Sequence, residues 1–233
     1  FQLPMPCAIV PQGLHRDGNS VSGQTVFRPQ IFPTQVYPMT DDSTLYDRFL
    51  GRYQEGVIPW EDPVPPPEIV ALGTELPPGR ALDLGCGFGR TAIHLARLGW
   101  SVDGVDFIPH AIEVARERAA AAGVAERARF HQASVAELDF LKPPYDLAID
   151  IGCMHSFDDD LLRGYEAGLA RLLHLGGRYV LFAHLLDAAA DMTERPRGIV
   201  ESRIMALLSD HFHLDKVEHG TTRMGDNPVW NSA

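Results

Sequence analysis

The stretch RALDLGCGFGRTAIHLARLGWSVDGVDF, Arg80 to Phe107, constrains the fold more than any other part of the chain. Two short apolar runs flank a turn holding three glycines in five residues, and each run carries an aspartate near its carboxyl end. A glycine lacks the β-carbon that forbids left-handed backbone and keeps a ligand away from the main chain, so DLGCGFGR reads as a tight turn with an exposed backbone. The helix expected from Arg90 to Leu98 begins at once, with free amides pointing back over the turn.

The same rhythm continues downstream. Strand-like runs at ALDL, SVDGVD, ARFHQA, YDLAIDI and RYVLFAHL alternate with helical stretches at about Arg90–Leu98, Pro109–Ala122, Asp158–His174 and Gly198–Phe212. Apolar strands separated by helices imply a mostly parallel sheet of six to seven strands, doubly wound, with helices on both faces. HLDKVEH supplies a sixth strand, and PVWNSA begins a seventh. In such a sheet ligands bind beyond the carboxyl ends of the strands, where the glycine turn lies.

Asp106 ends the strand after the turn, 23 residues beyond Asp83. An acidic side chain there accepts hydrogen bonds from two ribose hydroxyls, which points to a nucleoside ligand. The glycines are spaced G-x-G-x-G, with Arg90 where the dinucleotide fingerprint has its third glycine, so a nicotinamide-dependent oxidoreductase is disfavoured. Asp83 adds negative charge beside the turn, which suits a cationic ligand better than a diphosphate.

ALDLGCGFGR, VDGVDF and YDLAIDIGCMHSF resemble the first, second and fourth motifs of the class I S-adenosylmethionine-dependent methyltransferases. The resemblance runs from about Leu45 to the end of the chain and implies the Rossmann-like fold of that family. It places Asp83, Gly85, Cys86, Gly87 and Gly89 around the methionine part of the cofactor, Asp106 on the ribose and Phe107 against the adenine. It extends the cofactor contacts to Ser134, Val135, Ile151 and Gly152. Ser134 stands where many members carry an aspartate near the adenine amine. Upstream, YDRFLGRYQEGVIPWEDPVPPPEIV is loosely similar to the segment that closes over the cofactor in the small-molecule branch with thiopurine, thiol, halide and tellurite-resistance methyltransferases. That similarity moves Trp60 into the site; the alternative is an indole buried under the proline-rich bridge. A non-catalytic methyltransferase-like binding module is the remaining alternative.

Methyl transfer from a sulfonium is an in-line displacement that mainly needs alignment and exclusion of water. A thiol or halide acceptor is therefore favoured, with O- or N-methylation of a small metabolite, His155 acting as base, as the alternative. The expected acceptor pocket is Tyr46, Trp60, His155 and His184. Cys153 reads as a buried small residue. The three cysteines form neither a disulfide framework nor a zinc pattern, and no metal site is expected at His211 and His213. A net charge of −11 argues against nucleic acid, and no run approaches a membrane span, so a cytoplasmic enzyme with a small-molecule partner is expected. The oligomeric state stays open.

Residues 1–38 contain six prolines and no lasting period, and they read as an extended or disordered leader. Met39 is the expected natural start, or else the leader is a lid. Residues 39–233 then form one methyltransferase domain, with a helical cap over 39–79 whose first helix spans Asp41–Gln54.

Overall fold

The structure is a computed structural model and describes residues 7–11, 42–56, 58–186, 198–222 and 230–233. The proposed start at Met39 and most of the leader lie outside the described residues. In chain order the first elements are β1 (Cys7–Pro11), α1 (Asp42–Glu55), α2 (Pro67–Glu75), β2 (Arg80–Leu84), α3 (Arg90–Arg97), β3 (Ser101–Asp106), α4 (Pro109–Ala121) and β4 (Ala128–Gln132). They are followed by β5 (Tyr145–Ile151), α5 (Asp159–Leu172), β6 (Leu173–Phe182), β7 (Leu185–Leu186), β8 (Ile199–Val200), α6 (Glu201–Leu208), β9 (Phe212–Lys216), β10 (Gly220–Thr222) and β11 (Trp230–Ser232).

Seven strands form one sheet in the order β4-β3-β2-β5-β6-β1-β9. β1 runs antiparallel to both its neighbours, and the remaining six strands share one direction. From β2 the chain first builds outward through β3 and β4, then returns to add β5 and β6 on the other side. The carboxyl ends of β2 and β5 therefore flank the switch point, where a ligand cleft opens.

β2 is buried from Ala81 to Leu84, as a central strand covered on both faces must be. Ala81 joins Ile69 of α2, Ile93 of α3 and Ile112 of α4 in the core on one face. Leu82 and Leu84 join Leu162 of α5 and Ile204 of α6 on the other. Trp100, 1 % exposed, donates its indole N–H to the Gly73 carbonyl of α2 at 3.2 Å, tying that helix to the sheet. A third small cluster places Tyr53 of α1 against Ile108 and Ala111 at the start of α4.

Three details differ from the sequence reading. The strand that brings the sheet to seven is Cys7–Pro11 from the leader, inserted between β6 and β9, whereas Trp230–Ser232 pairs with Gly220–Thr222 in a separate two-stranded sheet. The helix expected to reach His174 ends at Leu172, because Leu173 adopts extended backbone and opens β6 opposite Tyr145. The last helix starts at Glu201 rather than Gly198, since Ile199 and Val200 pair in parallel with Leu185 and Leu186.

Candidate functional site

The glycine turn is held from below. The amides of Gly85 and Cys86 both donate to the Val105 carbonyl, at 2.8 and 3.0 Å, and Gly89 donates to the Cys86 carbonyl at 2.9 Å. Gly85 has a φ of 70°, and a β-carbon on it would stand 2.7 Å from the Cys153 sulfur. Gly89, at a φ of 79°, would bring a β-carbon within 2.7 Å of the Phe130 ring. The first position thus needs glycine for its left-handed backbone hard against Cys153, the second for close packing where α3 starts over the sheet.

Asp83 is 3 % exposed and faces α3, where it accepts the Ala92 amide at 3.1 Å. Burial pushes its pKa up to about 7, against the pull of that amide and of Arg90. This weakens the argument that Asp83 offers full negative charge to a cationic ligand: it ties the helix start to the sheet instead. Of the turn residues, Gly85 lines the cleft; Asp83, Cys86, Gly87 and Gly89 stand behind it. Cys86 packs into the core, and the Gly87 amide is engaged by Asp106.

Asp106 does line the cleft. Its two oxygens accept one backbone amide each, from Gly87 at 2.9 Å and Ile108 at 2.9 Å. A carboxylate has about four acceptor sites, so two remain for a pair of vicinal hydroxyls. Burial raises its pKa while the Ile108, Gly87 and Phe107 amides oppose the shift. Phe107, Ser134 and Val135 continue the wall, and Ser134 spends one acceptor position on the Ala136 amide at 3.3 Å. A turn without side chains, a half-satisfied carboxylate and an aromatic face beside it fit the nucleoside cofactor that the motifs imply.

The roof comes from α1. Leu45, Arg48, Phe49, Arg52 and Tyr53 lie at helical spacing on its cleft side, with Trp60 beside them. The Trp60 ring packs edge-on against Phe49 at 5.5 Å and Tyr53 at 6.0 Å, which places it in the site. Tyr46, expected in the acceptor pocket, is not among the lining residues. One position past Leu45, it is rotated about 100° around the helix and supports Phe107 edge-on at 5.6 Å.

The far end is organised by Asp150, which the sequence reading did not single out. Fully buried at the end of β5, it accepts the amides of Cys153 at 2.6 Å and Met154 at 3.0 Å and the Tyr165 hydroxyl at 2.7 Å. Burial raises its pKa to about 6 against these donors. The loop it folds carries Ile151, Gly152, Cys153, His155 and Phe157 into the cleft, opposite His184 from the end of β6. Burial pushes the Cys153 thiol well up, in keeping with a packed small residue.

His155 and His184 both line the cleft, as poor bases. Burial, then His184, then Arg48 press the His155 pKa down to about 3, and burial lowers His184 to about 4. His155 Nδ1 accepts the His184 amide at 3.5 Å, so the neutral ring carries its proton on Nε2. Arg48, Phe49, Arg52, Tyr53 and Phe157 are further lining residues that the sequence reading did not place in the site; the stripe at 45, 48/49 and 52/53 was the available signal. Among the described residues no group of three or more His, Cys, Asp or Glu is arranged to hold a metal, and no helix is long and apolar enough to cross a membrane.

A family model described as a methyltransferase domain matches residues 81–177. The chain is 28% identical over 160 residues to 2-heptyl-1-hydroxyquinolin-4(1H)-one methyltransferase of Mycobacteroides abscessus, covering 68% of this chain and 70% of that protein. It is 30% identical over 169 residues to an O-methyltransferase of Pyrenophora dematioidea, covering 66% of this chain and 62% of that relative's length. Among solved structures it resembles Burkholderia thailandensis 1,6-didemethyltoxoflavin-N1-methyltransferase with bound 1,6-didemethyltoxoflavin and S-adenosylhomocysteine, with a TM-score of 0.65 at 24% identity, covering 98% and 96% of the two chains. That likeness speaks for the fold, while the domain model spans the strands that build the glycine turn and the Asp106 wall. The methyltransferase domain matched over residues 81–177, with methyltransferases aligned along about two thirds of the chain, supports a class I S-adenosylmethionine-dependent methyltransferase.

Proposed function

We propose that this enzyme methylates a small, largely apolar organic acceptor through a soft or weakly acidic nucleophile, with S-adenosylmethionine supplying the methyl group from its sulfonium. The observation that carries the reading is one continuous cleft. It joins Asp106 and Phe107 at one end to the stacked, neutral His155–His184 pair at the other, under Phe49 and Trp60. Asp106 and the turn from Gly85 hold the nucleoside half. Phe49, Trp60 and Phe157 sandwich a flat acceptor and keep water out.

The thiol preference carries over, because such a nucleophile ionises near neutrality and needs little help. A halide leaves the aromatic walls without a role, so an organic acceptor is favoured. O- or N-methylation is the second reading, supported by the names of the relatives above. In it His155 offers its Nε2–H to an acceptor oxygen; with a pKa near 3 the ring is a weak base. A screen of thiols, acidic hydroxyl compounds, halides and amines that counts S-adenosylhomocysteine released tests the reading. Turnover of halides alone, or of none of these classes by a protein that binds S-adenosylhomocysteine, would overturn it.

A further inference from the structure

Trp60 reaches the cleft from a short segment, residues 58–62, that belongs to no helix or strand. A turn sets its local shape: the Glu61 amide donates to the Ile58 carbonyl at 3.0 Å, and Pro59 and Pro63 stiffen the chain on either side. Two polar ties join the segment to the body. The Arg118 guanidinium of α4 donates to the Glu61 carboxylate, and the Arg90 guanidinium, at the start of α3, donates to the Asp62 carbonyl at 3.3 Å. Both arginines stand on helices that pack beside the glycine turn. α3 starts from it, and α4 lies against it, since a β-carbon at Gly89 would stand 3.1 Å from that of Ala115.

The Arg118 contact does more than neutralise a carboxylate. The same guanidinium lies over Phe88, the large side chain in the middle of the turn, 4.8 Å from its ring centre. Phe88 does not line the cleft; it meets the roof, where Tyr53 packs edge-on against it at 5.2 Å. Tyr53 in turn packs on Trp60 at 6.0 Å. The contacts therefore close on themselves, from Phe88 through Arg118 and Glu61 to Trp60, and back through Tyr53 to Phe88. In such a loop the turn and the wall residue cannot shift independently. As a source of stability the pair is marginal, because Arg118 is nearly half exposed and exposed ion pairs are worth little. Its place over an aromatic ring, however, holds the planar fork ready for the carboxylate, so the pair fixes a position at small entropic cost.

We propose that Arg118 is a positioning residue for the methyl transfer: gripping Glu61 while it covers Phe88, it registers Trp60 against the glycine turn and so holds the cofactor between wall and floor. This rests on the methyltransferase reading. Arg118 does not line the cleft, so its effect passes through Trp60 and Phe88. Methyl transfer depends on alignment, which gives a distant tie of this kind leverage on the reaction.

The test uses the full chain labelled with 5-fluorotryptophan. Each of its three tryptophans then gives a fluorine resonance, that of Trp60 assigned by its loss in Trp60→Phe. Binding of S-adenosylhomocysteine to the wild type is read first by calorimetry; its failure would sink the methyltransferase reading, whereas the Trp60 resonance of the unliganded protein tests the tie regardless. In Arg118→Gln that resonance should move or broaden while that of Trp100, 1 % exposed in the core, stays in place. Tm should fall by less than about 4 °C, the reach of an exposed pair in a chain of this size. S-adenosylhomocysteine should leave about 3- to 30-fold faster in stopped-flow fluorescence, the combined worth of an ion pair and a cation–π contact. Glu61→Gln, which keeps Arg118 over Phe88, should displace the same resonance, and Arg118→Lys, which keeps the charge, should recover part of the slow release. An unmoved Trp60 resonance in either Gln variant, a Trp100 resonance that moves along with it, a larger fall in Tm, no recovery in Arg118→Lys, or release at the wild-type rate from Arg118→Gln would overturn the assignment.

Discussion

The imidazoles of His155 and His184 are stacked, with ring centres 4.5 Å apart and planes 25° from parallel. Burial disfavours a charge on either ring, and His184 and then Arg48 press further on His155, so both pKa values fall. The pH profile of kcat should therefore show no inflection from His155 between pH 6 and 8. His155→Ala should lower kcat by less than about 100-fold, the lower end of what a general base supplies. A larger loss, with an inflection in that range that the variant abolishes, would restore His155 as the base.

The same pair sets a sign for stability against pH. Histidines with pKa values lowered to about 3 and 4 bind fewer protons folded than unfolded, so their contribution is present above about pH 6.5 and lost as pH falls toward 4. Asp83 and Asp150, raised to about 7 and 6, work in the opposite direction, favouring the fold below about pH 4 and losing that advantage as pH rises through their folded values. His155→Gln should accordingly flatten the fall in Tm between pH 6.5 and 4.5. An unchanged slope in thermal melts would contradict the buried, neutral state of the ring.

Asp106→Ala removes the carboxylate proposed to accept the ribose hydroxyls and also frees the Gly87 and Ile108 amides. S-adenosylhomocysteine affinity should fall by about 10- to 100-fold, in line with the loss of one charged hydrogen bond or more. Calorimetry that finds the affinity unchanged would displace Asp106 from the cofactor site.

Gly85→Ala combines a left-handed backbone, costing about 1–2 kcal/mol for a residue with a β-carbon, with an overlap on Cys153. The variant should melt several degrees lower and bind S-adenosylhomocysteine more weakly. Adding Cys153→Ala should recover part of the loss, because the sulfur in the way is gone. No recovery would mean that backbone strain alone is responsible.

A chain shortened to begin at Met39 loses β1, which joins β6 to β9 in the sheet. Both neighbours would then present unpaired edges. Tm should drop by on the order of 5 °C or more, as expected for a few kcal/mol in a protein of this size. Retention of the wild-type Tm would show residues 1–38 to be dispensable for the fold.

The elements that recur with local signatures were readable from the chain. An apolar run closing on DLGCGFGR can only be a strand feeding a glycine turn and a helix, and Asp106 follows from the length of one such unit. These features depend on neighbouring residues and so are written in the order of the sequence. Folding decided the rest. β1 finds its place across a gap of more than 160 residues to β6, a pairing that no local pattern encodes. Asp83 turned out to face α3, and Asp150 to anchor the loop of His155, because strand alternation sends these acids to opposite faces and burial then sets their charge. Arg48 and Arg52 were visible as helical neighbours, but only the docking of α1 over the switch point put them along the cleft. Side-chain chemistry is written in the sequence, while the pKa values and the partners that turn it into a site depend on which distant surfaces exclude water together.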